Sequence, residues 1–497
     1  MSASSPSRPM RVSDVPKWDI RTDVVVVGFG AAGLCAAIEA RTLGVAVEAF
    51  EVASSYGGSA ALSGGELYLG GGGGTPVQRA AGFEDSTEDL FSYLVAAGGP
   101  GADLDRARLY AEQALDHFSW LCEQGVPFKG SYLPGKWLEP LTDDTLTWSG
   151  NEEAWPCSEL AKPAPRGHAP QMAGWGAGRL LVDSLARRAV SLGTRVHYDS
   201  RVTSLIADEH NAVHGIAVRM DGELRCVLAR HGVILCAGGF VCNEGMLKQY
   251  APSTALCRTP ITAGNDHGAG IRMGISVGAA AIHMEQFFCT MPFYPPESLV
   301  KGIFVNERGQ RFINEDSYHG RVTQEVLRQP NARAWLLVDN EIFDRPIINP
   351  KIVIAAVGDT WAELEQELRL LPGSLVQTVQ QFNDFARAGR DPVLHKAAPW
   401  LRALSSPPFA ALSFCANEYD ALFFTLGGLS TLPTGQVLAP DGSVIPGLFA
   451  AGRTACGLPR WGDGYASGLS LGDSTFFGRR AGRSAAACSV SGAMPAH

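Results

Sequence analysis

The pattern that predicts the fold lies in residues 23–33, which read DVVVVGFGAAG. Four consecutive valines predict a strand buried on both faces, as in a parallel sheet. The strand leads directly into a G-x-G-x-x-G pattern, and a helix is predicted over 31–43. A second strand over 45–51 ends in Glu51, at the spacing where a carboxylate accepts hydrogen bonds from ribose hydroxyls. This order of elements predicts a dinucleotide-binding βαβ unit.

Each position of the glycine pattern has a physical role. Gly28 permits a tight turn, Gly30 lets the backbone approach a pyrophosphate, and Gly33 lets helix and strand pack closely. Ala31 and Ala32 open the helix, whose free N–H groups and positive dipole end favour phosphate oxygens. The turn is therefore predicted to hold the phosphates of the ligand.

Composition and charge exclude several classes of protein. A chain of 497 residues predicts about two to three domains. The net charge of −9 argues against nucleic acid as a partner and leaves no basic patch for a membrane surface. No apolar run approaches the length of a membrane span, so stable membrane insertion is not expected.

The cysteines and the N-terminal segment indicate the cellular compartment. Eleven cysteines are dispersed without a C-x-x-C pair or zinc spacing, which is typical of reduced thiols, and no metal site is expected. The first twenty residues lack the apolar region of a secretory signal. We therefore expect a cytoplasmic protein.

Further glycine-rich turns are predicted to reach the same ligand. The loop over 57–65 contains two glycine pairs around small hydroxyl residues, and the apolar strand at 232–236 enters the turn Ala237-Gly238-Gly239. A third turn at 264–270 precedes a helical segment, and a strand over 447–451 enters a turn at Gly452. The segment 464–472 then opens a closing helix.

Between these turns the pattern predicts regular elements and one inserted domain. A helix is expected over 103–124 with Asp103 as its N-cap, and a hairpin turn is expected at Asp221-Gly222. From about residue 284, aromatic residues and prolines cluster and the periodicity becomes less regular. The predicted bounds are 284–410 for the inserted domain, with 1–283 and 411–497 as the two parts of the first domain.

Taken together, these motifs resemble the succinate dehydrogenase/fumarate reductase-type flavoprotein family. The resemblance is carried by the glycine triplet, the 57–65 loop, the 237–240 turn and the segment 447–453, and 305–315 matches the capping-domain motif of the family. It implies FAD as cofactor. It also implies an α/β fold, a Rossmann-like doubly wound FAD-binding domain with an inserted α+β substrate-capping domain.

The resemblance also assigns a set of residues to the FAD site. These residues are Gly28, Gly30, Ala31, Ala32, Gly33, Glu51, Gly57, Gly58, Ser59, Ser63, Gly64, Gly65, Val202, Ala237, Gly238, Gly239, Asp266, Gly452, Arg453, Ser470 and Leu471.

Within this family the chain is similar to the 3-ketosteroid Δ4-(5α)-dehydrogenase branch. Fumarate reductases place an arginine after the R-F-x-N-E motif, whereas Tyr318 stands here. The segments 163–168, 423–429 and 464–468 also match the branch. The implied catalytic residues are Tyr318, Tyr465 and Ser467.

The implied reaction introduces a 4,5 double bond into 3-oxo-5α-steroids, by loss of an alpha proton and transfer of a hydride to the flavin N5. Enolate charge collects on the ketone oxygen, so the Ser467 hydroxyl and a backbone N–H near Gly468 are expected to act as oxyanion donors. Tyr465 is expected to be the base, with Tyr318 hydrogen-bonded to it or relaying the proton. Aromatic residues expected to line an apolar pocket are Phe287, Phe288, Phe293, Tyr294, Phe423 and Phe424.

Three alternatives remain open at this point. The first is a 1,2-desaturating ketosteroid dehydrogenase. The second is a fumarate-reductase-like enzyme, in which Arg311 and Arg321 clamp carboxylates instead of forming structural ion pairs. The third is a non-enzymatic flavin scaffold, which has no use for the two tyrosines and the serine together. His267 and His319 have neighbours suited to proton transfer or to a structural role. No haem motif is present, so the electron acceptor is expected to be external.

Overall fold

The structure is a computed structural model that describes residues 8–137, 142–290, 296–345, 352–419 and 421–488. Its strands are β1 (Met10–Arg11), β2 (Ile20–Val27), β3 (Val47–Phe50), β4 (Leu67–Tyr68), β5 (Tyr132–Lys136), β6 (Leu146–Trp148), β7 (Gly167–His168), β8 (Arg195–His197), β9 (Arg201–Ala207), β10 (Val213–Met220), β11 (Glu223–Leu235), β12 (Cys257–Pro260), β13 (Ala281–Ile282), β14 (Phe287–Thr290), β15 (Ile303–Asn306), β16 (Ala334–Val338), β17 (Ile354–Gly358), β18 (Phe409–Ser413), β19 (Ala421–Thr425), β20 (Gly428–Leu429), β21 (Gln436–Leu438) and β22 (Val444–Ala450).

The α-helices lie between groups of these strands along the chain. They are α1 (Ala31–Thr42), α2 (Pro76–Ala80), α3 (Thr87–Gly98), α4 (Leu104–Glu123), α5 (Cys157–Leu160), α6 (Ala177–Ser191), α7 (Glu244–Tyr250), α8 (Ala269–Ser276), α9 (His319–Arg328), α10 (Trp361–Glu367), α11 (Ser374–Arg387) and α12 (Leu469–Ala487). Among the described residues, no helix has both the length and the apolar character needed to cross a membrane.

The central sheet has the order β1-β9-β10-β11-β2-β3-β8, and β22 pairs with β11. β2 pairs in parallel with both β3 and β11, and Val24, Val25 and Val26 are fully buried. β2, α1 and β3 therefore form the predicted βαβ unit, and the predicted α/β fold class is confirmed.

The first and last helices, α1 and α12, pack closely against each other. A Cβ atom added at Gly478 of α12 would lie 2.4 Å from the carbonyl oxygen of Ala32, and one at Gly482 would lie 2.2 Å from that of Ala36. Side chains at these two positions would separate the helices. The small residues of α1 and α12 thus hold the end of the chain against the N-terminal βαβ unit.

The predicted hairpin at Asp221-Gly222 joins β10 to β11, with φ of 50° and 81° at the two residues. Positive φ at both positions is typical of a type I′ turn. β11 begins directly after this turn, continues through a register shift between Ala229 and Gly232, and takes in the strand predicted at 232–236 as far as Leu235.

The inserted region contains an antiparallel sheet of its own, with the order β15-β16-β18-β17. Its core includes Trp335, Phe382 and Leu364, which are almost fully buried and separate from the core around α1. β14, in contrast, pairs with β19 in another sheet that also contains β12. The capping region is thus an α+β unit beside the doubly wound one, and its bounds of 284–410 stay a prediction.

Candidate active site

A cavity of about 700 Å³ opens where several parallel strands of the central sheet end. Gly28 follows β2, Glu51 follows β3, Ala237 follows β11 and Gly452 follows β22, and all four line the cavity. Ligands of open α/β sheets bind outside the carboxyl ends of the strands, and this volume is typical of a cofactor or ligand site.

The glycine turn after β2 is shaped by close backbone packing. Gly28 has a φ of +92°, and a Cβ atom there would lie 2.4 Å from the carbonyl oxygen of Cys236. Gly30 is the N-cap of α1, and no side chain caps that helix. Because Ala31 and Ala32 also line the cavity, the N–H groups at the helix start are available to a ligand phosphate.

The carboxylate of Glu51 is buried and fixed in orientation at the cavity wall. One oxygen accepts the N–H of Phe29 at 2.7 Å, and the other accepts the N–H of Ala53 at 2.9 Å. A carboxylate oxygen has two lone pairs, so capacity remains for ribose hydroxyls. The backbone bonds thus orient Glu51 without using up its acceptor sites.

Asp266 joins several of the predicted segments at the cavity. It accepts hydrogen bonds from the Ser59 hydroxyl at 2.9 Å, the Gly239 N–H at 3.0 Å and the Arg453 guanidinium at 2.8 Å. Burial alone would raise the pKa of Asp266, but Arg453 and the hydrogen bonds outweigh it and hold that pKa below its usual value. The ionised Asp266 fixes three turns relative to one another.

Most of the residues predicted for the FAD site line this one cavity: Gly28, Gly30, Ala31, Ala32, Glu51, Gly57, Gly58, Ser59, Ser63, Gly64, Gly65, Val202, Ala237, Gly238, Asp266, Gly452, Arg453, Ser470 and Leu471. Two predicted residues lie behind the lining. A Cβ atom at Gly33 would lie 2.0 Å from the oxygen of Gly28, and one at Gly239 would lie 2.6 Å from the Thr425 hydroxyl. These two glycines serve packing within the described structure.

The three predicted catalytic residues line the same cavity, and their hydroxyl groups take part in two hydrogen-bonded pairs, one of which includes Ser470. The hydroxyl oxygens of Tyr318 and Ser467 lie 2.8 Å apart, and Tyr465 donates to the hydroxyl of Ser470 at 3.1 Å. The rings of Tyr318 and Tyr465, which the sequence predicts to be hydrogen-bonded or linked by a proton relay, lie 6.4 Å apart between their centroids. Tyr318 directly precedes α9, and Ser467 lies just before α12. The Tyr318–Ser467 pair therefore depends on tertiary structure.

Burial controls the protonation of the titratable groups at this end of the cavity. It raises the pKa of Tyr465 to about 12, although the hydrogen bond with Ser470 acts in the opposite direction. It also lowers the pKa of His319 to about 3, and Nδ1 of this histidine lies 2.5 Å from the Thr290 hydroxyl. Both side chains are therefore neutral at pH 7.

An aromatic cluster surrounds the hydroxyl pairs. The Phe288 ring packs 4.6 Å from Tyr465 and 5.0 Å from Phe424, and both phenylalanines line the cavity. Phe287 and Phe423 are not among the lining residues, because side chains alternate between the two faces of β14 and β19. Phe293 and Tyr294, also predicted for this pocket, lie outside the described residues.

Other residues of the lining were not predicted from the sequence. Thr290 lies two positions after Phe288 on β14, and Leu422 lies two positions before Phe424 on β19. The alternation of side chains in strands identifies both residues once one lining residue of each strand is known. The lining also includes His267 and His319, which the sequence singles out as suited to proton transfer or to a structural role.

The arginines considered as carboxylate clamps lie elsewhere. Arg311 pairs with Glu315 at 2.8 Å and with Asp391 at 3.0 Å, and Arg321 donates to the carbonyl oxygen of Trp155 at 2.9 Å. Neither arginine lines the cavity. These contacts are those of structural ion pairs and hydrogen bonds. Over the described part of the chain, no group of three or more His, Cys, Asp or Glu residues is placed to hold a metal ion.

Comparison with known proteins connects this geometry to flavoproteins. Residues 23–464 match the family model described as FAD binding domain. The 3-ketosteroid-Δ4-(5α)-dehydrogenase of Rhodococcus jostii RHA1, solved with 4-androstene-3,17-dione, is 41% identical with a TM-score of 0.91, over 96% of this chain and 99% of that one.

Two curated relatives are more distant in sequence. The 3-oxo-5-alpha-steroid 4-dehydrogenase of Comamonas testosteroni is 27% identical over 88% of this chain and 94% of that protein. The 3-oxosteroid 1-dehydrogenase of Mycolicibacterium smegmatis is 28% identical over 92% of this chain and 95% of that protein.

Proposed function

The chain belongs to the FAD binding domain family, with FAD as its cofactor, and on this premise we propose that it desaturates 3-ketosteroids. The reaction introduces a 4,5 double bond into 3-oxo-5α-steroids. Two hydrogen-bonded pairs of hydroxyl groups, Tyr318 with Ser467 and Tyr465 with Ser470, carry the proposal, and they lie beside Phe288 in the cofactor cavity. The match to the Rhodococcus jostii enzyme over nearly the whole chain supports it.

The residues of the cavity fit FAD. The N–H groups at the start of α1 suit its pyrophosphate, and Glu51 suits a ribose. The turn at Gly28 has no room for a side chain. When bound, FAD supplies a hydride acceptor at its N5 atom.

Tyr465 is better suited to hold the ketone oxygen than to act as the base. A phenol whose pKa is about 12 is protonated at pH 7 and keeps its proton as a hydrogen-bond donor. Negative charge develops on the ketone oxygen when the alpha proton leaves, and a fixed donor there stabilises that charge. We assign Tyr465 to this role in place of the base expected from the sequence, and its single proton then turns from the Ser470 hydroxyl to the ketone oxygen.

The Tyr318–Ser467 pair is suited to accept the alpha proton. The reaction removes a proton from C4, and the bound cofactor would accept the hydride from C5, so that the electrons of the C4–H bond would form the double bond. Ser467 takes the proton as its own passes to the Tyr318 oxygen across their 2.8 Å hydrogen bond, and the phenol proton of Tyr318 is released to solvent. The two hydroxyls thus act as one relay.

The proposal also covers the electron acceptor, the cellular location and the bounds of the capping domain. We propose an external electron acceptor, because the sequence contains no haem-binding C-x-x-C-H motif. We propose a cytoplasmic location, which the free state of the cysteines supports. We also retain 284–410 as the proposed bounds of the capping domain.

Anaerobic mixing of the yellow protein with three ligands tests the function. The ligands are a 5α-reduced 3-ketosteroid, a 4-ene-3-ketosteroid and succinate, and flavin absorbance is followed. Bleaching by the 5α-reduced steroid alone is expected. Bleaching by the 4-ene steroid would indicate 1,2-desaturation, and bleaching by succinate alone, or by none of the three, would contradict the steroid assignment.

A further inference from the structure

A short segment between β6 and α5 contacts both members of the proposed proton relay. The carbonyl oxygen of Ser149 accepts the N–H of Ser467 at 2.8 Å. The side-chain oxygen of Asn151 accepts the N–H of Tyr318, also at 2.8 Å. The two backbone anchors of the relay thus lie two residues apart, a span of at most about 7 Å. We call residues 149–152 the strap.

The strap is itself held firmly in the interior. Asn151 and Glu152 are buried, and the N–H of Asn151 donates to the hydroxyl of Tyr93 at 3.0 Å. The carboxylate of Glu152 accepts the N–H of Gly150 at 2.8 Å and the hydroxyl of Tyr68 at 3.0 Å. Buried hydrogen-bonded groups of this kind hold one geometry, because a broken bond leaves an unpaired polar group.

Close packing leaves the strap no room to move towards Ser467. A Cβ atom added at Gly150 would lie 2.4 Å from the hydroxyl of Tyr93 and 2.6 Å from the Cβ of Ala466, the residue before Ser467. The backbone of the strap therefore lies directly against the turn that carries the serine.

The chain that follows the strap is attached to the capping region. The carbonyl oxygen of Trp155 accepts hydrogen bonds from Arg321 at 2.9 Å and from Asn314 at 3.2 Å. The Trp155 ring stacks on His395 at 4.5 Å. Residues 149–155 thus contact both the capping region, which includes α9, and the turn that precedes α12.

We propose that the strap sets the distance between Tyr318 and Ser467 and that Asn151 is the positioning residue. Tyr318 comes from the capping region and Ser467 from the FAD-binding region, so their 2.8 Å contact depends on how the two regions are aligned. Asn151 fixes the tyrosine backbone to the segment that also fixes the serine. A misplacement of 1 Å in such a site costs about 10²-fold in rate. The kinetic part of this inference rests on the proposed function.

The variant Asn151→Ala removes the acceptor for the Tyr318 N–H. Its matched control is Asn383→Ala, because the buried Asn383 accepts the N–H of Leu404 at 2.7 Å within the core of the capping region. Crystal structures of both variants are compared. The Tyr318–Ser467 hydroxyl separation is expected to exceed about 3.5 Å in Asn151→Ala and to stay within hydrogen-bond range in the control. An unchanged separation in Asn151→Ala would overturn the proposal without reference to any substrate.

The kinetic test measures the rate of flavin reduction per bound flavin by a 5α-reduced 3-ketosteroid. Asn151→Ala is expected to lower this rate about 10²-fold with unchanged flavin content, and the control is expected to leave it unchanged. In a Tyr318→Phe background the same change is expected to cost less than about 3-fold, since it acts through the tyrosine hydroxyl. If the double variant instead lost rate by the product of the two single factors, Asn151 would not act through the Tyr318 hydroxyl.

A second variant and the wild-type protein distinguish failure of this inference from failure of the proposed function. If Asn151→Ala does not fold, Asn151→Ser replaces it, since the shorter side chain keeps a polar group but does not reach the Tyr318 N–H. If no steroid reduces the wild-type flavin, the proposed function fails alone. The crystallographic comparison then still decides whether the strap positions the two hydroxyls.

Discussion

The two ends of the cavity are built in different ways. The cofactor end is made mainly of backbone, with the Gly28 turn and the start of α1 supplied by consecutive residues. The hydroxyl end is made of side chains, and its central contact joins Tyr318 to Ser467 across 149 positions of the chain. The cofactor end is formed by residues that are close together in the sequence. The hydroxyl end, in contrast, forms only once the capping region is in place. Changes at the two ends should therefore have separable effects, on flavin binding and on rate.

The largest effect is expected from changes to the proposed proton relay. Tyr318→Phe and Ser467→Ala should each lower the rate of flavin reduction by about 10²–10⁴-fold, the usual contribution of general acid–base catalysis. The double variant should be no slower than the slower single variant, because either change breaks the same relay. Anaerobic stopped-flow reduction by a 5α-reduced 3-ketosteroid measures all three rates. Multiplied losses would show that the two hydroxyls act independently.

A somewhat smaller loss is expected for Tyr465→Phe. Removing one donor from a developing oxyanion costs about 10²–10³-fold in rate. The flavin content should stay at the wild-type level, because phenylalanine keeps the ring that packs on Phe288 and only the hydrogen bond to Ser470 is lost. Flavin absorbance per protein and the reduction rate are measured on the same preparation. A variant that keeps full activity would remove Tyr465 from the mechanism.

At the cofactor end, Gly28→Ala should act on binding and stability. Its Cβ would lie 2.4 Å from the Cys236 oxygen at a φ of +92°, so overpacking and backbone strain together should cost about 3 kcal/mol or more. The purified variant should contain little FAD.

The matched control for this variant is Gly44→Ala, in the same βαβ unit. Gly44 has a φ of +86°, and no atom lies within 4 Å of an added Cβ, so only strain of about 1 kcal/mol is expected, with full flavin content. Flavin absorbance and thermal unfolding distinguish the two variants. Equal loss of flavin in both would contradict a role for the crowded turn.

The same contrast explains which features could be predicted from the sequence. The Gly28 turn and Glu51 were predictable because strand, turn, helix and acid follow one another within about thirty residues. The partner of Tyr318 was not, because the strap and α12 bring Ser467 to it from distant positions. Phe288 and Phe287 could not be distinguished either, since assigning faces requires knowing how β14 is oriented in its sheet.

The smallest effect is expected where Asp266 links the turns of the cofactor end. Its folded-state pKa is lowered, so its contribution to stability is complete above the unfolded-state value of about 3.9 and is lost as the pH falls through the folded-state pKa. Unfolding of the wild type and of Asp266→Asn should therefore differ most between pH 5 and 7. The difference should shrink below about pH 4, as the wild-type carboxylate takes up its proton. Thermal unfolding of both proteins across this range measures it, and a difference that stays constant down to pH 3 would show that the charge of Asp266 does not hold these turns.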